Sequence, residues 1–140
     1  MTNNPFFSDA TTEAGVNAVT ALLNSGYLKI YTGSQPGDAN QAVSGTLLAS
    51  LTFSATAFGG STAAGATGSR VVTATANSIT SGTAGNTGTA GYFALVKSDN
   101  STVVAMGSCG TSGADLNLST TSIVSGATVA CSAFTITQTE

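Results

Sequence analysis

The reactive inventory of this chain is small: six carboxylates, two cysteines and no histidine. Without histidine, a serine, threonine or cysteine nucleophile lacks its usual base. Glycoside cleavage needs two carboxylates at a set spacing in a cleft, commonly beside aromatic sugar platforms, and the chain has no tryptophan. The carboxylates sit instead where plain structural uses await them. Asp9 and Glu13 stand four apart at the start of an expected helix, where negative charge is favourable without any catalytic purpose. Asp38 and Asp99 fall in turn sequences, Asp115 in the polar approach to a short strand, and Glu140 closes the sequence. No calcium-ligand spacing joins Asp38, Asp99 and Asp115. The glycine-rich stretch FGGSTAAGATGS (58–69) has neither the Gly-Lys-Ser/Thr nor the following helix that a phosphate loop requires. The chain therefore reads as a non-enzyme with no cofactor and no metal site.

Cys109 and Cys131 are too few for a disulfide framework and, without histidine, too few for a structural zinc. The expectation is two free, largely buried thiols, too far apart in the fold to be taken as paired. An intrachain bridge and a bridge between subunits stay open as alternatives, the former adding about 3 kcal/mol by closing a loop of about 20 residues.

The elements that must position these groups are written in apolar runs within an unusual composition. Thr, Ala, Ser and Gly supply 81 of 140 residues, and only regularly spaced apolar clusters separate such a chain from a disordered one. Charged residues are 6%, against about 25% in an ordinary domain. A surface of hydroxyls, amides and small apolar groups is cheap to desolvate, which suits a protein packed into an assembly. Lys29, Arg70 and Lys97 are the only cations, so no basic patch exists to neutralise phosphates, and nucleic acid is not expected as a partner. No run nears the roughly 20 apolar residues of a membrane span, and MTNNPFFSDA carries no basic region before an apolar one. The expectation is no membrane partner and assembly in a cytoplasm.

The organising element is TAGYFALVKSDNSTVVAMGS (89–108), two apolar runs around a Ser-Asp-Asn-Ser turn. Both runs are apolar on both faces, which predicts a central hairpin with cover on each side. Before it, Ser8 or Asp9 caps a helix whose stripe is Val16, Val19, Leu22 and Leu23, with Gly26 as its terminator. Pro5, Phe6 and Phe7 precede the cap, either stapling the helix to the core or docking on another subunit. Residues 27–32 alternate, with Leu28 and Ile30 inward and Tyr27, Lys29 and Tyr31 outward; Tyr27 and Tyr31 thus join Pro5, Phe6 and Phe7 as candidate partner-binding residues. Leu47, Ala49, Leu51 and Phe53 predict the buried face of a second strand. Residues 57–69 and 81–89 read as loose loops around a strand at Val72, Ala74 and Ala76. Near the end, Val129 and Cys131 share a parity that Phe134 and Ile136 oppose, which predicts a bulge near Ser132-Ala133 or a passage between sheets. Thr73-x-Thr75 recurs as Thr135-x-Thr137, without the short period of a solenoid. The predicted fold is mainly β, an antiparallel β-sandwich or flattened barrel with one N-terminal amphipathic helix: an arm over residues 1–7 and one domain over 8–140.

Three phrases, LKIYTGSQPGDANQAVSGTLLASLTFS (28–54), AGYFALVKSDNSTVV (90–104) and GTSGADLNLSTTSIVSGATV (110–129), resemble small virion-associated proteins of tailed bacteriophages and prophages. The resemblance spans about two-thirds of the chain and rests on structural rather than catalytic motifs. It implies a head decoration or cement protein that binds the major capsid protein on the virion surface, self-associates as a trimer and turns nothing over. A neck, collar or fibre component with an adhesin-like or carbohydrate-binding face is the alternative. Two departures stand out: Tyr92 where the pattern has tryptophan, and the pair of cysteines.

Overall fold

The computed structural model describes residues 5–139, leaving Met1–Asn4 of the predicted arm and Glu140 outside the described residues. The chain is mainly β, with one N-terminal helix and a curled half-barrel sheet to which smaller sheets are added. Helix α1 (Asp9–Ala21) starts where Ser8 Oγ accepts the amide of Thr11, and the Ser8 carbonyl takes the amides of Thr11 and Thr12. Its buried line is Val16 and Thr20, continued by Leu23 just past the helix. Val19 and Leu22, expected on the same stripe, are exposed, because the helix buries only a narrow face. The left-handed residue at its end is Ser25 (φ 55°) rather than Gly26. Gly26 is needed for another reason: a Cβ there would strike the carbonyls of Leu23 and Val96.

The main sheet runs β5 (Ile79–Thr80), β2 (Leu47–Phe53), β1 (Tyr27–Thr32), β7 (Gly88–Val96), β8 (Val103–Gly110), β9 (Leu116–Asn117), with β10 (Ser122–Ile123) on the start of β7. All pairings are antiparallel except β8 with β9. The hairpin β7–β8 is where the sequence predicts it, closed by Lys97 N–H donating to Thr102 O and by Asn100 at φ 62°. The Asp99 carboxylate locks the turn, accepting the amides of Ser101 and Thr102 and the Thr102 hydroxyl. Two further sheets complete the molecule: β6 (Gly82–Thr83) with β11 (Thr128–Val129), and β12 (Thr135–Thr139), β4 (Val71–Thr75), β3 (Thr62–Ala64) in that order. The loops expected at 57–69 and 81–89 thus contain β3 and β6, strands too short and too rich in Thr, Ala and Gly to announce themselves.

One apolar core joins the sheets. Phe53 and Phe93 from the main sheet meet Phe58 and Phe134 from the other side in a chain of rings: Phe53–Phe58 at 5.6 Å, Phe58–Phe134 at 6.3 Å and Phe134–Phe93 at 5.4 Å between centroids. Phe134 holds this position because the chain leaves β11 and enters β12 in a different sheet, the passage that the parity change predicts. The paired Thr-x-Thr segments lie side by side, with Thr75 opposite Thr135 and Thr73 opposite Thr137.

Two register details differ from expectation. The β1–β2 ladder shifts between Ile30 and Tyr31, so Leu48 turns inward and Leu47 is left 37% exposed. The outward face of the central strands is also covered. Tyr31, expected in solvent, is buried in a second cluster with Tyr92, Ala94 and Val96, against which Tyr27, Val103 and Met106 pack. The cover on this side includes the 33–46 loop, which Ser44 ties to the Tyr92 hydroxyl.

Candidate functional site

The described part of the N-terminal arm, Pro5 to Phe7, lies open. Phe6 is fully exposed and Phe7 67% exposed, so within one chain neither staples the helix to the core. Beside them runs a groove of about 1400 Å³, formed between the arm, α1, residues 67–70 and β12. Val16 and Val19 supply its apolar helix wall, and Ile136 and Gln138 the strand wall. Its charged lining residues, Asp9 and Arg70, form an ion pair with each other, each side chain 35% exposed. Gly15 also lines the groove and leaves open space where a side chain would project.

The sheet beside this groove has unlike edges. On the β3 side α1 supplies the missing partners: Ala63 N–H donates to Glu13 Oε1 at 2.8 Å, and Ser61 N–H to Asn17 Oδ1 at 2.9 Å. Glu13, expected only as a charge near the helix start, thus closes a sheet edge. On the other side β12 pairs with β4 alone and, among the described residues, no strand meets its second edge.

The predicted site residues separate into groups. Pro5, Phe6 and Phe7 line the groove; Tyr27 and Tyr31 do not. Tyr27 is half-buried, with Lys29 Nζ 5.9 Å from its ring centroid. Tyr31 stacks on Tyr92 at 5.2 Å and 14°, and burial first, then the neighbouring Tyr92, pushes its phenol pKa upward. Within the chain Tyr31 therefore packs inside the second cluster, 7% exposed. The groove itself was hidden in the sequence, because its walls come from segments far apart in the chain; the one signal was Ile136 alternating with threonines.

The chain matches no protein-family model, no curated protein and no solved structure at a significant level. Function must be argued from these residues.

The other described carboxylates are engaged by residues close in sequence. Asp38 accepts the backbone and side-chain N–H groups of Asn40, Asp99 holds its turn, and Asp115 Oδ2 accepts the amide and hydroxyl of Ser108, both at 2.8 Å. The hydrogen bonds from Ser108 draw the Asp115 pKa below its ordinary value. Among the described residues no three Cys, Asp or Glu side chains gather as a metal would need, and no helix is long and apolar enough to cross a membrane.

Both thiols are free. β8 and the link between β11 and β12 carry them to the same core, where Cys131 is buried and Cys109 packs against it. Burial pushes the Cys109 thiol up to about 12, helped by the negative charge of Asp115 and by nearby Cys131. Cys131 is also raised by burial, while its Sγ donates to the Ala133 carbonyl at 3.2 Å. These are packing thiols rather than nucleophiles.

Proposed function

We propose that this protein is a structural component of a tailed-phage virion, a decoration or cement protein that binds the major capsid protein and stabilises its lattice. It would act at the capsid surface after assembly in the host cytoplasm. The observation that carries the reading is the pair Phe6 and Phe7, held in solvent beside an apolar groove on a chain with 6% charged residues. Two phenylalanines left in water forgo several kcal/mol of burial in total, about 1.5–3 each, and a neighbouring subunit supplies the missing surface. The resemblance of the strand and turn segments to virion-associated proteins supports the same reading.

The test is to mix the purified protein with undecorated capsids at low and high salt, then measure bound copies and resistance to heat. Binding in fixed ratio to the shell protein, with added thermal resistance, is the expected result. Contact through neutral groups releases few ions, so moderate salt should change the binding little. Failure to bind, or binding abolished by moderate salt, rejects the cement mechanism.

The aromatic rings beside a groove also favour a second reading, a neck, collar or fibre component that binds an external ligand such as a carbohydrate. Copy number separates the two. A shell-wide protein is present in hundreds per particle, a neck or tail component in about a dozen.

A further inference from the structure

We infer that the groove between α1 and β12 is the seat for the Pro5-Phe6-Phe7 arm of a second copy of this chain. The inference deepens the proposed self-association and rests on that reading for its use in an assembly, though its chemistry needs no shell. In its own chain the arm borders the groove without filling it, since Phe6 remains fully exposed and Phe7 two-thirds exposed. The Ser8 cap fixes the direction in which the arm leaves the helix. One surface therefore carries both an apolar projection and an apolar recess, the condition for a contact that two copies can make reciprocally.

Charge agrees with this occupant. The arm from Pro5 to Phe7 is uncharged, and among the described residues the two charged groups lining the groove already neutralise each other as the Asp9–Arg70 pair. Area agrees as well. Each phenylalanine can bury about 150–250 Å². Phe7 is already one-third covered, so a reciprocal exchange that seats four rings against the groove approaches the lower end of the roughly 1,200–2,000 Å² of a stable interface. The edge of β12 that no strand meets among the described residues runs along the groove wall, where an extended arm can reach it.

The experiment uses the isolated protein, with association read by analytical ultracentrifugation and folding by circular dichroism. Phe6→Ser/Phe7→Ser removes the projection. Gly15→Phe projects a ring into the recess, because the position lines the groove and a Cβ there meets nothing within 4 Å. Val19→Glu, at an exposed position on the groove wall, blocks it independently should Gly15→Phe fold poorly. Wild type is expected to associate, and each folded variant alone to associate at least about tenfold more weakly. An equimolar mixture of the arm variant and a groove variant is expected to recover hetero-association, since one partner retains the groove and the other the arm. A monomeric wild type, variants that associate undiminished, or a mixture that recovers nothing would each overturn the exchange. If the wild type is monomeric while the arm variant loses binding to capsids, the arm serves the shell: arm exchange fails and the proposed function stands.

Discussion

The phenol of Tyr92 makes two hydrogen bonds to one residue, donating to the Ser44 carbonyl at 2.5 Å and accepting the Ser44 amide at 2.9 Å. This clasp joins the fully buried centre of β7 to a loop 48 residues away in sequence, through the same ring that stacks on Tyr31.

Tyr92→Phe should keep the stack and lose the clasp. Ser44 is exposed, so water can satisfy its freed groups, and the cost should be about 1–2 kcal/mol rather than a full desolvation penalty. Urea unfolding measures that loss. Amide exchange should accelerate locally across residues 33–46; unchanged exchange at Ser44 would show that the loop is held by other contacts.

Acid should loosen the central hairpin through Asp99. Its three hydrogen bonds to Thr102 and Ser101 lower its pKa from an ordinary 3.8 to about 2. A folded pKa below the unfolded one means stabilisation that is complete above about pH 4 and is lost as pH falls through about 2. Asp99→Ala should therefore melt below wild type at pH 7, and the gap should close toward pH 2. A gap independent of pH would assign the turn's stability to backbone geometry instead.

The thiols should resist labelling in the native state. With Cys109 at about 12, roughly one molecule in ten thousand carries its thiolate at pH 8. Reaction with an aromatic disulfide reagent should be on the order of a thousand times slower than in the unfolded chain. Rapid native labelling would mean that the core around Cys109 and Cys131 opens far more often than its burial implies.

Gly107→Val should strain the aromatic core. A Cβ at Gly107 would lie 2.6 Å from the Phe93 ring, which is set edge-on to Phe134. Overpacking of this kind costs about 1–3 kcal/mol. Thermal melting is the measure, and a smaller loss would show that Phe93 can move aside.

The elements most legible from sequence were those whose signal was local. The Asp99-Asn100 turn between two apolar runs identified the hairpin, and opposed parities at Cys131 and Phe134 marked a break whose two readings, re-aimed side chains or a passage between sheets, the fold decides for the passage. Leu47 was placed inward by its parity with Ala49, Leu51 and Phe53, and the β1–β2 bulge, which no local signal marks, turns Leu48 inward instead. Tyr31 alternated away from the core correctly, but alternation cannot reveal that a loop will cover the other face. The groove was least legible, since Val16, Arg70 and Ile136 meet only in three dimensions.

The pairing of β1 with β7 bears on how the chain reaches its native state. Thr32 lies opposite Ala90, so the two central strands meet only after a loop of more than fifty residues closes. On a ribosome β1 must wait, unpaired on that side, until most of the chain has been made. The local β7–β8 hairpin can form first and serve as the template that captures it. Folding should accordingly be slow for a domain of this size, in the millisecond-to-second range typical of chains built from distant strand pairs.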